Sequence, residues 1–235
     1  MAVVNRNGRP IPIVALDVPS SEKALALVDE LGGECRFYKI GNELFTSAGP
    51  EVVRRVRERG ADVFLDLKLH DIPNTVAGGV RGAAAMGARL VTVHATGGLA
   101  MLRAAVDAGG SDCGILAVTV LTSLTADEIA GSWGRPTVDV SDEVLRLAEL
   151  AAEAGAHGVV CSGREARAVR DRFGDRLAVL VPGVRAPGGA AQDQARVVTP
   201  SEAAAAGATY VVVGRMVTAA SDRQAAMSAV RAELA

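Results

Sequence analysis

Short runs of β-branched residues recur along this sequence, and an Ala-, Arg- and Glu-rich stretch of amphipathic character follows each of them. Strands that alternate with helices in this way pair in parallel, because each helix carries the chain back across the sheet. The expected strands are 13–18, 37–42, 63–69, 90–95, 114–121, 158–162, 178–184 and 210–215. Helices are expected roughly at 21–31, 50–59, 74–87, 98–108, 141–154, 164–173, 201–206 and 220–234. Ser20 or Ser21, Pro50, and Thr199 with Pro200 supply start signals for three of them. Eight such units point to an α/β fold, the (β/α)8 or TIM barrel.

Length and composition agree with that reading. A barrel of this kind takes roughly 250 residues as one unit, so 235 residues suit a single domain spanning 1–235. Hydrophobic residues make up 49% and aromatics only 3%, which leaves Val, Leu, Ile and Ala to fill the core, as in parallel barrels. Gly60-Ala61, Gly87-Ala88, Gly155-Ala156 and Gly207-Ala208 each fall where a helix should end, and glycine there accepts a left-handed backbone.

The same numbers exclude several classes of function. A formal charge of −2, without a basic stripe or interleaved aromatics, argues against nucleic acid as a partner. Cys35, Cys113 and Cys161 are odd in number and widely spaced, which suits a reducing cytoplasm better than a disulfide framework or a zinc site. The chain opens without a targeting pattern, and no stretch approaches the roughly 18 apolar residues of a membrane span, so no membrane association is expected.

The polar residues gather at the C-terminal ends of the strands, the face where barrels place their chemistry. Asp17 ends strand 1, Lys39 lies in strand 2, Asp66 and Lys68 lie in strand 3, and Asp71 follows just beyond. Thr122 follows strand 5, with Arg185 and Arg215 after strands 7 and 8. Strand alternation points Asp66 and Lys68 to one face. Charges inside a barrel strand are costly unless paired, so one ammonium between Asp66 and Asp71 reads as functional. Flanking carboxylates favour the charged lysine, which suits a proton donor and not a Schiff-base nucleophile. Gly183 and Arg185, with Gly214 and Arg215, form the pair of loops that commonly hold phosphate in barrels. Two long connections, about 122–141 and 185–199, lie on the same face, and the second is rich in Gly and Ala as a lid would be.

The segment FLDLKLHDIPNT at 64–75 closely resembles the signature of the orotidine 5'-phosphate decarboxylases, and the similarity runs nearly end to end. It includes ALDV at 15–18, YKIG at 38–41, VTVHATGG at 91–98, AVTVLTS at 117–123, PGVR at 182–185, DQARVVTP at 193–200 and VVVGR at 211–215. The resemblance implies decarboxylation of orotidine 5'-monophosphate to UMP and CO2, the last step of de novo UMP synthesis, with no cofactor and no metal. It implies that Asp17 and Lys39 hold the ribose hydroxyls, that Asp66 sits beside the departing carboxylate, and that Lys68 protonates C6. By the same resemblance Asp71 and Thr75 complete the site of a neighbouring subunit in a homodimer. Thr122 would contact the base, and Gln194, Gly214 and Arg215, with Arg185 nearby, would grip the phosphate. The chain departs from many members after Arg185, where Ala186 precedes Pro187.

Two alternatives remain on these residues: a magnesium-dependent sugar-phosphate decarboxylase or aldolase of the same superfamily, and a non-catalytic phosphometabolite-binding barrel. The continuation IPNT after Asp71 disfavours the first, and the intact Asp66, Lys68 and Asp71 disfavour the second. His70, His94 and His157 do not read as metal ligands: hydrogen bonding at the barrel rim accounts for His94, and His70 points away from Lys68. Cys161 reads as a small buried hydrophobe and Trp133 as a local packing anchor.

Overall fold

The computed structural model describes residues 8–185 and 197–235. Eight parallel strands close into a barrel in sequence order: β1 (Ile11–Ala15), β2 (Phe37–Gly41), β3 (Asp62–Leu69), β4 (Leu90–His94), β5 (Gly114–Val118), β6 (Gly158–Val160), β7 (Ala178–Val184) and β8 (Tyr210–Val213). Between and after them run α1 (Ser21–Leu31), α2 (Asn42–Ala48), α3 (Glu51–Arg57), α4 (Pro73–Ala85), α5 (Gly98–Gly109), α6 (Ala126–Ser132), α7 (Val140–Glu153), α8 (Gly163–Phe173), α9 (Pro200–Ala205), α10 (Arg215–Thr218) and α11 (Arg223–Glu233). No helix among the described residues is long and apolar enough to cross a membrane.

Alternation along each strand divides the core in two. Ile13, Ala15, Phe37, Phe64, Leu90, Leu116, Leu180, Tyr210 and Val212 form one buried cluster, which fills the barrel. Residues of opposite parity, such as Val14, Tyr38, Leu65, Val91 and Val211, pack against the helices in the larger one. Burial on both faces is why these strands read as near-continuous apolar runs. Where the inward parity reaches the upper rim it turns polar: Asp17, Lys39, Asp66 and Thr92 continue the series set by Ala15, Phe37, Phe64 and Leu90.

Helix ends follow the expected chemistry. Ser20, not Ser21, caps α1, and Thr199 with Glu202 forms a capping box before α9, with Pro200 in its first turn. The four glycines of the Gly-Ala turns all have left-handed φ, between 74° and 85°. Three helices were not anticipated. The long connection after β5 carries α6, opened by a Thr125–Glu128 capping box. An extra helix, α2, starts directly after β2. The expected helix 220–234 is α11, capped by Asp222, but a separate short helix, α10, precedes it and begins at once after Gly214.

Candidate active site

β1, β2 and β3 deliver four charged side chains into one linked row. Lys39 Nζ lies 2.9 Å from Asp17 Oδ1 and 3.6 Å from Asp66 Oδ2, and Lys68 Nζ lies 2.8 Å from Asp66 Oδ1. The order is therefore Asp17, Lys39, Asp66, Lys68, with signs alternating. A Cβ at Gly41 would stand 3.1 Å from Lys39 Nζ, so glycine there leaves room for the ammonium.

Asp66 is the best-buried acid of the row and has both oxygens engaged. Burial alone would raise its pKa, but the Lys39 and Lys68 charges and hydrogen bonds from Lys68 and Thr92 prevail and hold it below the usual carboxylate value. Thr92 is fully buried. Its hydroxyl lies 3.1 Å from Asp66 Oδ1 and accepts the backbone N–H of Lys68 at 2.8 Å. The sequence reading gave Thr92 no role, although its parity with Leu90 on β4 points it inward.

Lys68 itself has φ of 50°, the only non-glycine residue with positive φ among those described. Simple alternation along β3 therefore fails at this residue, because the strand bulges between Leu65 and Leu69. A second irregularity lies between Val181 and Val184 on β7, with Gly183 at φ 70°. Bulges at barrel rims re-aim side chains, and both of these border the same cavity.

That cavity has a volume of about 500 Å³ and opens at the C-terminal ends of the strands. Asp17, Lys39, Asp66 and Lys68 line it from the first three strands, and apolar Val118, Val160, Leu180 and Val212 line it from β5 to β8. Thr122 and Ser123 border it after β5, while Gly183, Arg185, Gly214 and Arg215 border it beyond β7 and β8. Ser123 and the apolar wall were not anticipated from sequence.

Two anticipated residues among those described, Asp71 and Thr75, are not in this pocket. Asp71 is exposed, its Oδ1 accepts the N–H of Ile72 at 2.6 Å, and among the described residues Lys68 pairs with Asp66 and not with Asp71. The expected arrangement of two carboxylates around one ammonium is thus replaced, within one chain, by Asp66 between two ammonium groups. Thr75 is likewise exposed on the first turn of α4, in a run from Asp71 to Thr75 that includes Ile72 at 67% exposure. The cause is local: the chain leaves β3 after Leu69 and Pro73 starts α4, which turns these residues outward. Gln194, Ala186 and Pro187 lie outside the described residues.

His94 is half-buried, with its ring 5.3 Å from that of His70. Burial, and then the charges of His70 and Lys68, lower its pKa, which favours the neutral ring. Among the described residues no three His, Cys, Asp or Glu side chains converge as metal ligands would. Cys161 is fully buried in the helix-facing core. Trp133 ends α6 at 37% exposure, more open than a packing anchor.

A buried carboxylate flanked by two ammonium groups, below an apolar wall and beside a glycine- and arginine-bearing rim, can hold an anionic ligand and place a proton donor against it. Comparison with known proteins gives this geometry its context. The orotidine 5'-phosphate decarboxylase / HUMPS family profile matches residues 10–230. Orotidine 5'-phosphate decarboxylase of Halorhodospira halophila is 50% identical over 97% of each chain, and that of Nitrosococcus oceani is 47% identical over 94% of this chain and 96% of its own. The crystal structure of the Lactobacillus acidophilus orotidine 5'-phosphate decarboxylase superimposes with a TM-score of 0.84 at 37% identity, covering 96% of this chain and 99% of that one.

Proposed function

Because this chain belongs to the orotidine 5'-phosphate decarboxylase / HUMPS family, we propose that it is a carboxy-lyase that converts orotidine 5'-monophosphate to UMP and CO2 in pyrimidine biosynthesis, with Lys68 as the proton donor. The observation that carries this reading is the alternating row Asp17, Lys39, Asp66, Lys68 along one side of the rim cavity. The whole chain, 1–235, acts as one domain, and its place is the cytoplasm.

In this reading the phosphate lies at the β7–β8 rim against Gly214 and Arg215, with Arg185 and Gln194 adding to the grip. Asp17 and Lys39 take the ribose hydroxyls, and Thr122 meets the base. The pyrimidine then lies against the apolar wall with its carboxylate toward Asp66. The bond between C6 and the carboxylate carbon breaks, CO2 departs, and the electron pair stays on C6 in the ring plane, where no adjacent group can delocalise it. A fixed ammonium beside C6 stabilises that charge and quenches it by transferring one proton from Lys68 Nζ. The depressed pKa of Asp66 keeps a negative charge next to Lys68 throughout the neutral range.

Asp71 and Thr75 complete the site of a second subunit in a homodimer. Their exposure, and that of Ile72 between them, suits a segment that is covered by a partner. The test is turnover of orotidine 5'-monophosphate in EDTA, followed by loss of ultraviolet absorbance. Metal-independent turnover supports the reading, whereas a requirement for magnesium and a phosphorylated keto-sugar replaces it with the sugar-phosphate chemistry of the superfamily.

A further inference from the structure

The pairing of β3 with β4 is regular up to Leu65↔Val91 and resumes at Leu69↔Val93. Over that interval β3 advances by four residues and β4 by two, so Asp66, Leu67 and Lys68 stand opposite the single residue Thr92. Had the ladder stayed regular, Asp66 would face Thr92 and Lys68 would face His94, one layer higher, roughly 6 to 7 Å along the strand. The bulge instead folds Lys68 back to the layer of Asp66.

Lys68 has no intrinsic reason to accept this. A φ of 50° is unfavourable for a residue with a Cβ, and such conformations persist only where surrounding contacts impose them. The contact at this point is the Thr92 hydroxyl. It replaces the ladder partner of the Lys68 N–H and at the same time reaches Asp66 Oδ1, the oxygen that also accepts from Lys68 Nζ at 2.8 Å. One buried oxygen thus touches the backbone of one charged residue and the side chain of the other, away from water that could substitute for it.

We infer that Thr92 is a positioning residue for the reaction: through its hydroxyl it sets the bulge in β3 and thereby the height of the Lys68 ammonium in the cavity. The inference rests on Lys68 being the proton donor of the proposed decarboxylation. Thr92 is not itself required to touch substrate, since it does not line the cavity. Its effect is on the geometry of proton transfer, where a displacement of about 1 Å is enough to lower turnover by roughly 100-fold.

Thr92→Val keeps the shape and removes the hydroxyl. The expected result with orotidine 5'-monophosphate is a kcat reduced by at least roughly 100-fold with KM close to the wild type, and with Thr92→Ser near wild-type turnover. Wild-type kcat in Thr92→Val, or an equal loss in Thr92→Ser, overturns the inference. If Thr92→Val does not fold, Thr92→Ser and Thr92→Ala, which lose the same methyl, take its place: turnover kept in Ser and lost in Ala supports the role, and equal turnover refutes it. Wild-type protein inert toward this substrate would instead remove the functional reading. The geometric part then stands or falls on a crystal structure of Thr92→Val or, failing that, Thr92→Ala, where Leu67 should pair with Val93 and Lys68 should leave the left-handed region; a retained bulge contradicts it.

Discussion

His157 offers a perturbation whose size can be worked out in advance. It sits just ahead of β6, on the barrel face opposite the cavity, with Nε2 3.0 Å from the Tyr210 hydroxyl. Burial, with the charge of Arg89 adding to it, pushes its pKa from the ordinary 6.5 down to about 4. Between those values the unfolded chain binds a proton that the folded chain refuses, so stability falls as pH drops from 6.5 to about 4 and levels off below. At about 1.4 kcal/mol per pKa unit, the loss amounts to roughly 3 kcal/mol. His157→Gln removes this titration while leaving an amide near Tyr210. It should cost about 1 kcal/mol near neutral pH, through an imperfect hydrogen bond, yet be the more stable protein by about 2 kcal/mol near pH 4. Urea unfolding followed by circular dichroism, at fixed protein concentration across that range, measures the crossover. Carboxylates common to both proteins cancel in the difference. A wild-type-minus-variant difference that stays flat with pH would refute the reasoning.

Two further outcomes bear on the proposed chemistry. Arg215→Ala should lower kcat as well as affinity, with kcat/KM down roughly 10- to 100-fold, because binding energy at the phosphate is used at the reacting carbon; an unchanged kcat/KM removes the phosphate assignment. Lys68→Ala and Asp71→Asn, each inactive alone, should regain roughly a quarter of wild-type activity when co-refolded in equal amounts, because half of the symmetric dimers are mixed and each mixed dimer has one intact site. Activity no greater than that of the separate variants would argue against a site shared between subunits.

Much of the architecture was legible in the sequence because parallel strands buried on both faces must read as apolar runs, and all eight were located to within a few residues. The Gly-Ala turns were equally plain, since a left-handed helix end wants glycine. Short helices were less so. α6 announces itself only through Thr125 and Glu128, three residues apart, and α2 has no side-chain cap at all. In the site, Asp17, Lys39 and Asp66 follow from the parity of inward positions, and Thr92 could have been found by the same rule. The left-handed Lys68 could not, because nothing in its own residue type favours that conformation; it depends on a contact from the neighbouring strand. Nor does proximity in sequence bring Asp71 to Lys68, since Pro73 turns the chain outward before the side chain can return.

The most direct measurement is decarboxylation of orotidine 5'-monophosphate in EDTA by the wild type and by Lys68→Ala side by side. The account predicts metal-independent turnover in the first and almost none in the second, with the variant still folded. Comparable turnover in the two proteins would contradict the role given to Lys68, and an inert wild type would contradict the substrate.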